Sequence, residues 1–153
     1  MEVNVKRIVE DLKKFFENRN NFISYVIVFG SQVSGFTHFE SDLDIGLRPV
    51  KGFRKELVKI LPDLVVDLAD YLRFPVQRLD VTLIDPFYSK NLSFLYEALS
   101  NCIFVWGDRE QYIDDLVYVA SLYADHRIEL EKTGYFEAYL KAYREAVKNG
   151  KNC

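Results

Sequence analysis

The chain has 153 residues, the length of one domain, and its 49% apolar share can build a sizeable core without disulfides. A formal net charge of −3 argues against a general DNA or RNA binder, which needs a basic surface. The cysteines, Cys102 in an apolar run and Cys153 at the end, make neither a disulfide framework nor a zinc site. No leader or membrane-spanning run is evident, so a reducing cytoplasm is the expected compartment.

Val5, Ile8, Val9, Leu12, Phe15 and Phe16 follow helical spacing and predict an amphipathic helix over 3–17. Phe22 to Phe29 is β-branched and aromatic almost throughout, which predicts a strand buried on both faces and ended by Gly30. Leu43 to Leu47 alternates as a strand. Residues 53–71 are helical in pattern but hold Pro62, which predicts two short helices or one kinked there. Leu79 to Ile84 reads as a strand, 88–100 as a weak helix, and Cys102 to Trp106 as a short strand closed by Gly107-Asp108. From Arg109 a helix places Ile113, Leu116, Val117, Ala120, Tyr123, Ala124, Arg127 and Ile128 on one face. Thr133-Gly134 breaks it, and Phe136, Tyr139, Leu140, Tyr143 and Val147 define a last helix. Strands separated by helices, then a helical hairpin, predict one α+β domain over 1–153, with a core over 1–107 and a helical tail over 108–150.

The stretch that carries chemistry is Gly30 to Leu47, GSQVSGFTHFESDLDIGL. A glycine directly after a buried strand lets backbone approach a ligand, and Ser31 adds a hydroxyl donor for phosphate. Asp42 and Asp44 are two apart in a strand, so both carboxylates leave the same face. Paired carboxylates repel unless a cation lies between them, and hard oxygen ligands favour Mg²⁺ completed by water and phosphate. Leu43, Ile45 and Leu47 form the core face. Asp42, Asp44, Gly46 and Arg48 form the other. In Leu79 to Ile84 the parity repeats, and Asp80 joins Asp42 and Asp44 if the two strands are neighbours. Three carboxylates on one spot suit a two-metal site for phosphoryl chemistry. Asp85, on the other parity and before Pro86, reads as a turn residue. His38 reads as a surface residue of the loop and His126 as structural.

Gly30-Ser31, ten residues, Asp42-Leu43-Asp44 and a later Asp80 resemble the signature of the DNA polymerase β-like nucleotidyltransferases. The short chain, over roughly residues 22–147, resembles in particular the antitoxin of HEPN–minimal nucleotidyltransferase toxin–antitoxin pairs. The resemblance implies a polymerase β-like fold with a mixed, mostly antiparallel sheet flanked by helices. It implies that Gly30 and Ser31 hold the triphosphate of ATP, and that Asp42, Asp44 and Asp80 ligate Mg²⁺, with two ions expected. Asp80 would also help activate the acceptor hydroxyl. The implied activity is transfer of AMP from ATP to a tyrosine of a cognate HEPN ribonuclease toxin, which silences it. Many relatives carry Ala-Arg-Gly where this chain has Val33-Ser34-Gly35, and Arg48, Lys51, Arg54, Lys55 and Lys59 are the basic cluster that could compensate. Six of the ten tyrosines follow Arg109, which marks the tail as a candidate partner or oligomer surface. Two other readings stand beside this one. An antitoxin could neutralise by binding alone with an idle nucleotide site, or an aminoglycoside-type enzyme could modify a small molecule.

Overall fold

The computed structural model describes residues 5–19, 21–30, 42–89, 91–132, 134 and 140–145. Helix α1 (Val5–Asn18) leads into strand β1 (Ile23–Phe29), and strand β2 (Leu43–Pro49) into helix α2 (Arg54–Leu72). A 3₁₀ turn (Val76–Arg78) then opens strand β3 (Leu79–Leu83). Helix α3 (Leu92–Ser100), strand β4 (Ile103–Gly107) and helix α4 (Arg109–Lys132) follow. The strands form one sheet in the order β3-β2-β1-β4. β1 pairs antiparallel with both β2 and β4, whereas β2 and β3 run parallel. The sheet is therefore mixed and mostly antiparallel, as expected.

Helices cover both faces. On one, Leu12, Phe15 and Phe16 of α1 and Leu57, Leu64 and Leu68 of α2 pack on Val26, Val28, Leu43, Ile45 and Leu47. On the other, Leu95, Ala98 and Leu99 of α3 and Val119 of α4 pack on Tyr25, Ile27 and Phe29. β1 thus buries side chains in both directions, which is why its sequence does not alternate. Each fully buried Leu, Ile or Phe contributes about 1.5–3 kcal/mol of transfer free energy. Caps set the helix ends: Asn91 accepts from the Phe94 amide at 3.1 Å to start α3, and Asp108 from the Gln111 amide at 3.1 Å to start α4. Arg73 closes α2 in the left-handed region at φ 53.

Two expectations are corrected. α2 runs through Pro62 as one helix, which sets aside the reading of two short helices. The carbonyl that loses its bond belongs to Val58, and both Val58 and Pro62 are exposed, so water replaces the missing donor. In α4 the inward residues are Tyr112, Asp115, Leu116, Val119 and Tyr123, while Ile113, Val117, Ala124, Arg127 and Ile128 are exposed. The helix is apolar nearly all round through Tyr123, so spacing alone selects more than one face. The expected last helix lies largely outside the described residues, of which 140–145 are helical. Among the described residues no helix is long and apolar enough to cross a membrane.

Candidate active site

β2 is an inner strand, bonded on both sides. In its ladder with β1, Phe29 stands opposite Asp44, and in its ladder with β3, Asp44 stands opposite Asp80. Side chains alternate along strands, so directly opposed residues project from the same face. Asp44 and Asp80 therefore stand side by side there, and Asp80 is among the groups that act on the Asp44 carboxyl. Gly30 follows Phe29 with φ +81, and a Cβ built on it would run into the Asp44 carboxylate. Any other residue type would be strained at this strand end, for reasons of both dihedral and space. Asp42 is the residue before β2 and is exposed.

The electrostatics are those of crowded acids. Burial raises the Asp44 carboxyl from its ordinary range to about 6, helped by the Asp80 charge, the Asp80 hydrogen bond and the Asp42 charge. Every one of these influences opposes ionisation, and a bound cation would reverse the charge terms. The donor set fits a hard divalent ion. All the groups are carboxylate oxygens, and Asp80 and Asp42 open to solvent, where water and phosphate could complete the coordination. Among the described residues, no three acidic, imidazole or thiol groups are drawn close enough to cage an ion on their own. The arrangement is therefore an Asp44–Asp80 pair flanked by Asp42, open toward Gly30.

Other expected site residues fall elsewhere. Ser31 and His38 lie outside the described residues. Arg48 does not reach the acid face's open end. It is 5% exposed, and its Nε donates to Asp115 at 2.8 Å. Asp115 also accepts from the Tyr25 hydroxyl at 2.7 Å and from Gln111 Nε2 at 2.9 Å. Burial, then Asp115, push the Tyr25 hydroxyl far above its ordinary range, so it stays a donor. This Tyr25–Asp115–Arg48 lock joins α4 to the sheet, and local sequence pattern gave no sign of it. Lys51, Lys55 and Lys59 are exposed and lie beyond Pro49, at the opposite end of β2 from Asp44. Five residues of strand put that end roughly 17 Å away. Arg54 lies over the Tyr88 ring at 3.8 Å and reaches Asp85 at 3.5 Å. Asp85 is a turn residue as expected, its Oδ1 accepting from the Phe87 amide at 3.2 Å. His126 is exposed on α4. An open depression of about 680 Å³, lined by Lys13, Trp106, Gly107 and Arg109 among others, touches none of the three carboxylates.

A four-stranded mixed sheet between helices, with a glycine-ended strand beside an acid pair, is the architecture of a nucleotidyltransferase fold. No family model and no curated protein matches the sequence, so the likeness to known proteins is one of structure. A solved toxin–antitoxin complex with AMP-PNP contains a chain that aligns with a TM-score of 0.60 at 17% identity, over 82% of this chain and 94% of that one. A chain in the complex of tri-AMPylated HEPN toxin from Shewanella oneidensis with MNT antitoxin aligns at 0.59 and 15% identity, over 85% and 95%. A mutant MntA–HpeT toxin–antitoxin gives 0.61 at 17%, over 86% and 95%. The chain has the minimal nucleotidyltransferase fold and resembles in structure the antitoxins of those pairs.

Proposed function

We propose that this protein is a Mg²⁺-dependent nucleotidyltransferase that moves AMP from ATP to a tyrosine of a HEPN-type toxin and so acts as its antitoxin in the cytoplasm. The observation that carries this reading is the Asp44–Asp80 pair, side by side on adjacent strands with Gly30 pressed against it. Asp42, Asp44 and Asp80 are the residues to hold the metal, which would supply positive charge for the triphosphate and the attacking oxygen. Gly30 and Ser31 are the residues to receive the phosphates through backbone and hydroxyl donors. The single-domain organisation expected for 1–153 belongs to the same proposal.

The proposed reaction is an in-line displacement at the α-phosphorus of ATP. The acceptor hydroxyl oxygen forms a bond to the α-phosphorus, and the bond from that phosphorus to the bridging oxygen of the β-phosphate breaks. Pyrophosphate leaves in line with the attack. Asp80, exposed at the outer edge of the pair, is the proposed acceptor of the hydroxyl proton. Support for a protein acceptor comes from the structural neighbours, among them a complex whose toxin is tri-AMPylated.

The test is intact-mass analysis of the protein incubated with Mg²⁺, ATP and the product of the adjacent gene. A gain of one or more AMP units on the partner, abolished by Asp44→Asn in a chain that still folds, is the expected result. A stable complex with no gain on either protein would overturn the transferase reading in favour of neutralisation by binding alone.

A further inference from the structure

β3 is the outer strand on one side of the sheet, and it carries Asp80. The Ile84 amide donates to the Leu47 carbonyl at 2.8 Å. Backbone groups alternate in direction along a strand, so Asp80 and Thr82 also turn theirs toward β2. Val81 and Leu83 turn theirs away from the sheet. The Leu79 amide is already taken by the Val76 carbonyl in the preceding turn. Among the described residues, nothing bonds the outward N–H and C=O groups of Val81 and Leu83. The ladder with β2 is regular, and the strand holds no proline, lysine or bulge. Proline, bulges and charged side chains are the usual devices that keep an edge from accepting another strand, and Asp80 is the one charge this strand carries.

We propose that this edge is the acceptor-docking surface, where an extended segment of the partner protein adds to β3 as a fifth strand. The inference rests on the nucleotidyl-transfer reading and names how its protein substrate is held. A residue directly opposite Asp80 on the added strand has its Cβ about 5 Å away and projects from the same face as Asp80 and Asp44. Strand addition therefore delivers a hydroxyl side chain to the acid pair by register, and backbone bonds supply affinity with little demand on sequence. Charge selects the occupant. Two copies of this chain meeting edge to edge around Val81 would bring two Asp80 carboxylates into one short ladder, between molecules that each carry −3. A neutral or basic segment of a different protein meets no such repulsion.

The experiment uses the full chain, ATP, Mg²⁺ and the product of the adjacent gene. Val81→Pro deletes one outward N–H and no bond to β2, and proline's φ suits an edge strand. The expected result is a rise of at least tenfold in KM for the partner. Val81→Ile keeps both the N–H and the apolar packing, and as the conservative rescue it is expected to restore KM to near wild type. Hydrogen exchange on the wild-type chain reads the same edge without a variant. The Val81 and Leu83 amides should exchange at least tenfold more slowly once the partner is added. An unchanged KM in Val81→Pro, or unprotected amides in a complex that transfers AMP, would overturn the proposal. Protection that appears with this chain alone as its concentration rises would overturn it too, by making the occupant a second copy. Protection by the partner without any transfer would uphold the docking edge and refute the transferase reading.

Discussion

Asp115→Ala is expected to be the most damaging single truncation of a polar group in the described structure. Asp115 is 3% exposed and faces Arg48 at 5% and Tyr25 at 0%. Its carboxylate accepts three bonds, from Tyr25, Arg48 and Gln111, at 2.7, 2.8 and 2.9 Å. Removing it leaves a buried guanidinium whose nearest remaining acid is Asp85, 3.8 Å from Nη1. Breaking a buried ion pair from one side costs about 3–5 kcal/mol. At about 2–4 °C per kcal/mol for a chain of this size, Tm should fall by roughly 6–20 °C. Urea unfolding followed by circular dichroism measures the first figure and a thermal scan the second. The triple variant Tyr25→Phe, Arg48→Met, Asp115→Leu replaces every member of the lock with apolar volume. It should return to within about 2 kcal/mol of wild type, because no charge is then stranded. A loss below about 1 kcal/mol in Asp115→Ala would refute the reasoning, since the lock would then contribute nothing to holding α4.

Three further perturbations probe the site. The Asp44 carboxyl, raised to about 6 in the fold against an ordinary 3.8, favours the protonated form, so its effect on stability is most favourable below pH 3.8 and declines as pH rises to 6. Solvent screening of this half-buried group keeps the decline under about 1 kcal/mol, and a pH series of urea melts should show it in wild type and not in Asp44→Asn. The same proton competes with metal, so Mg²⁺ affinity by calorimetry should be roughly tenfold weaker at pH 5 than at pH 7.5. Gly30→Ala places a Cβ on the Asp44 carboxylate at φ +81; a stability loss of about 1–3 kcal/mol and loss of metal binding are expected. Gly46→Ala would set its Cβ 2.7 Å from Ile84 Cγ1 and 2.8 Å from Ile27 Cγ1, and overpacking there should cost about 1–3 kcal/mol in denaturant melts without changing the carboxylates.

The acid pair was legible because strand parity is a local rule. Two carboxylates at matching positions in β2 and β3 become neighbours as soon as the strands do, and the parallel register places Asp44 directly opposite Asp80. Gly30 was legible for a similar reason, being the residue that ends a buried strand. Arg48 was misread because parity gives only the face, not what covers it. The face that begins at Asp44 runs under α3 and α4 before it reaches Arg48, and the partner that neutralises Arg48 lies 67 residues away. Pro62 misled because a lost backbone bond matters only where water cannot replace it. In α4 the apolar surplus hid the inward face, and only packing on α3 and β1 resolves it.

The lock also decides how α4 bears load. It grips the helix in its second turn, and the Tyr123 ring stacks on Tyr96 at 4.3 Å farther along. From Ala124 to Ile128 every residue is exposed, and the helix continues to Lys132. Nine residues at 1.5 Å each make an arm of roughly 14 Å beyond Tyr123. Force applied at the tip of such a lever is met at its fulcrum, where Asp115 bonds Arg48. Arg48 belongs to β2, the strand that also bears Asp44. Whatever grasps the end of α4 therefore pulls first on the Tyr123–Tyr96 stack and then, through the Asp115 bonds to Arg48 and Tyr25, on the strands beside the acid pair.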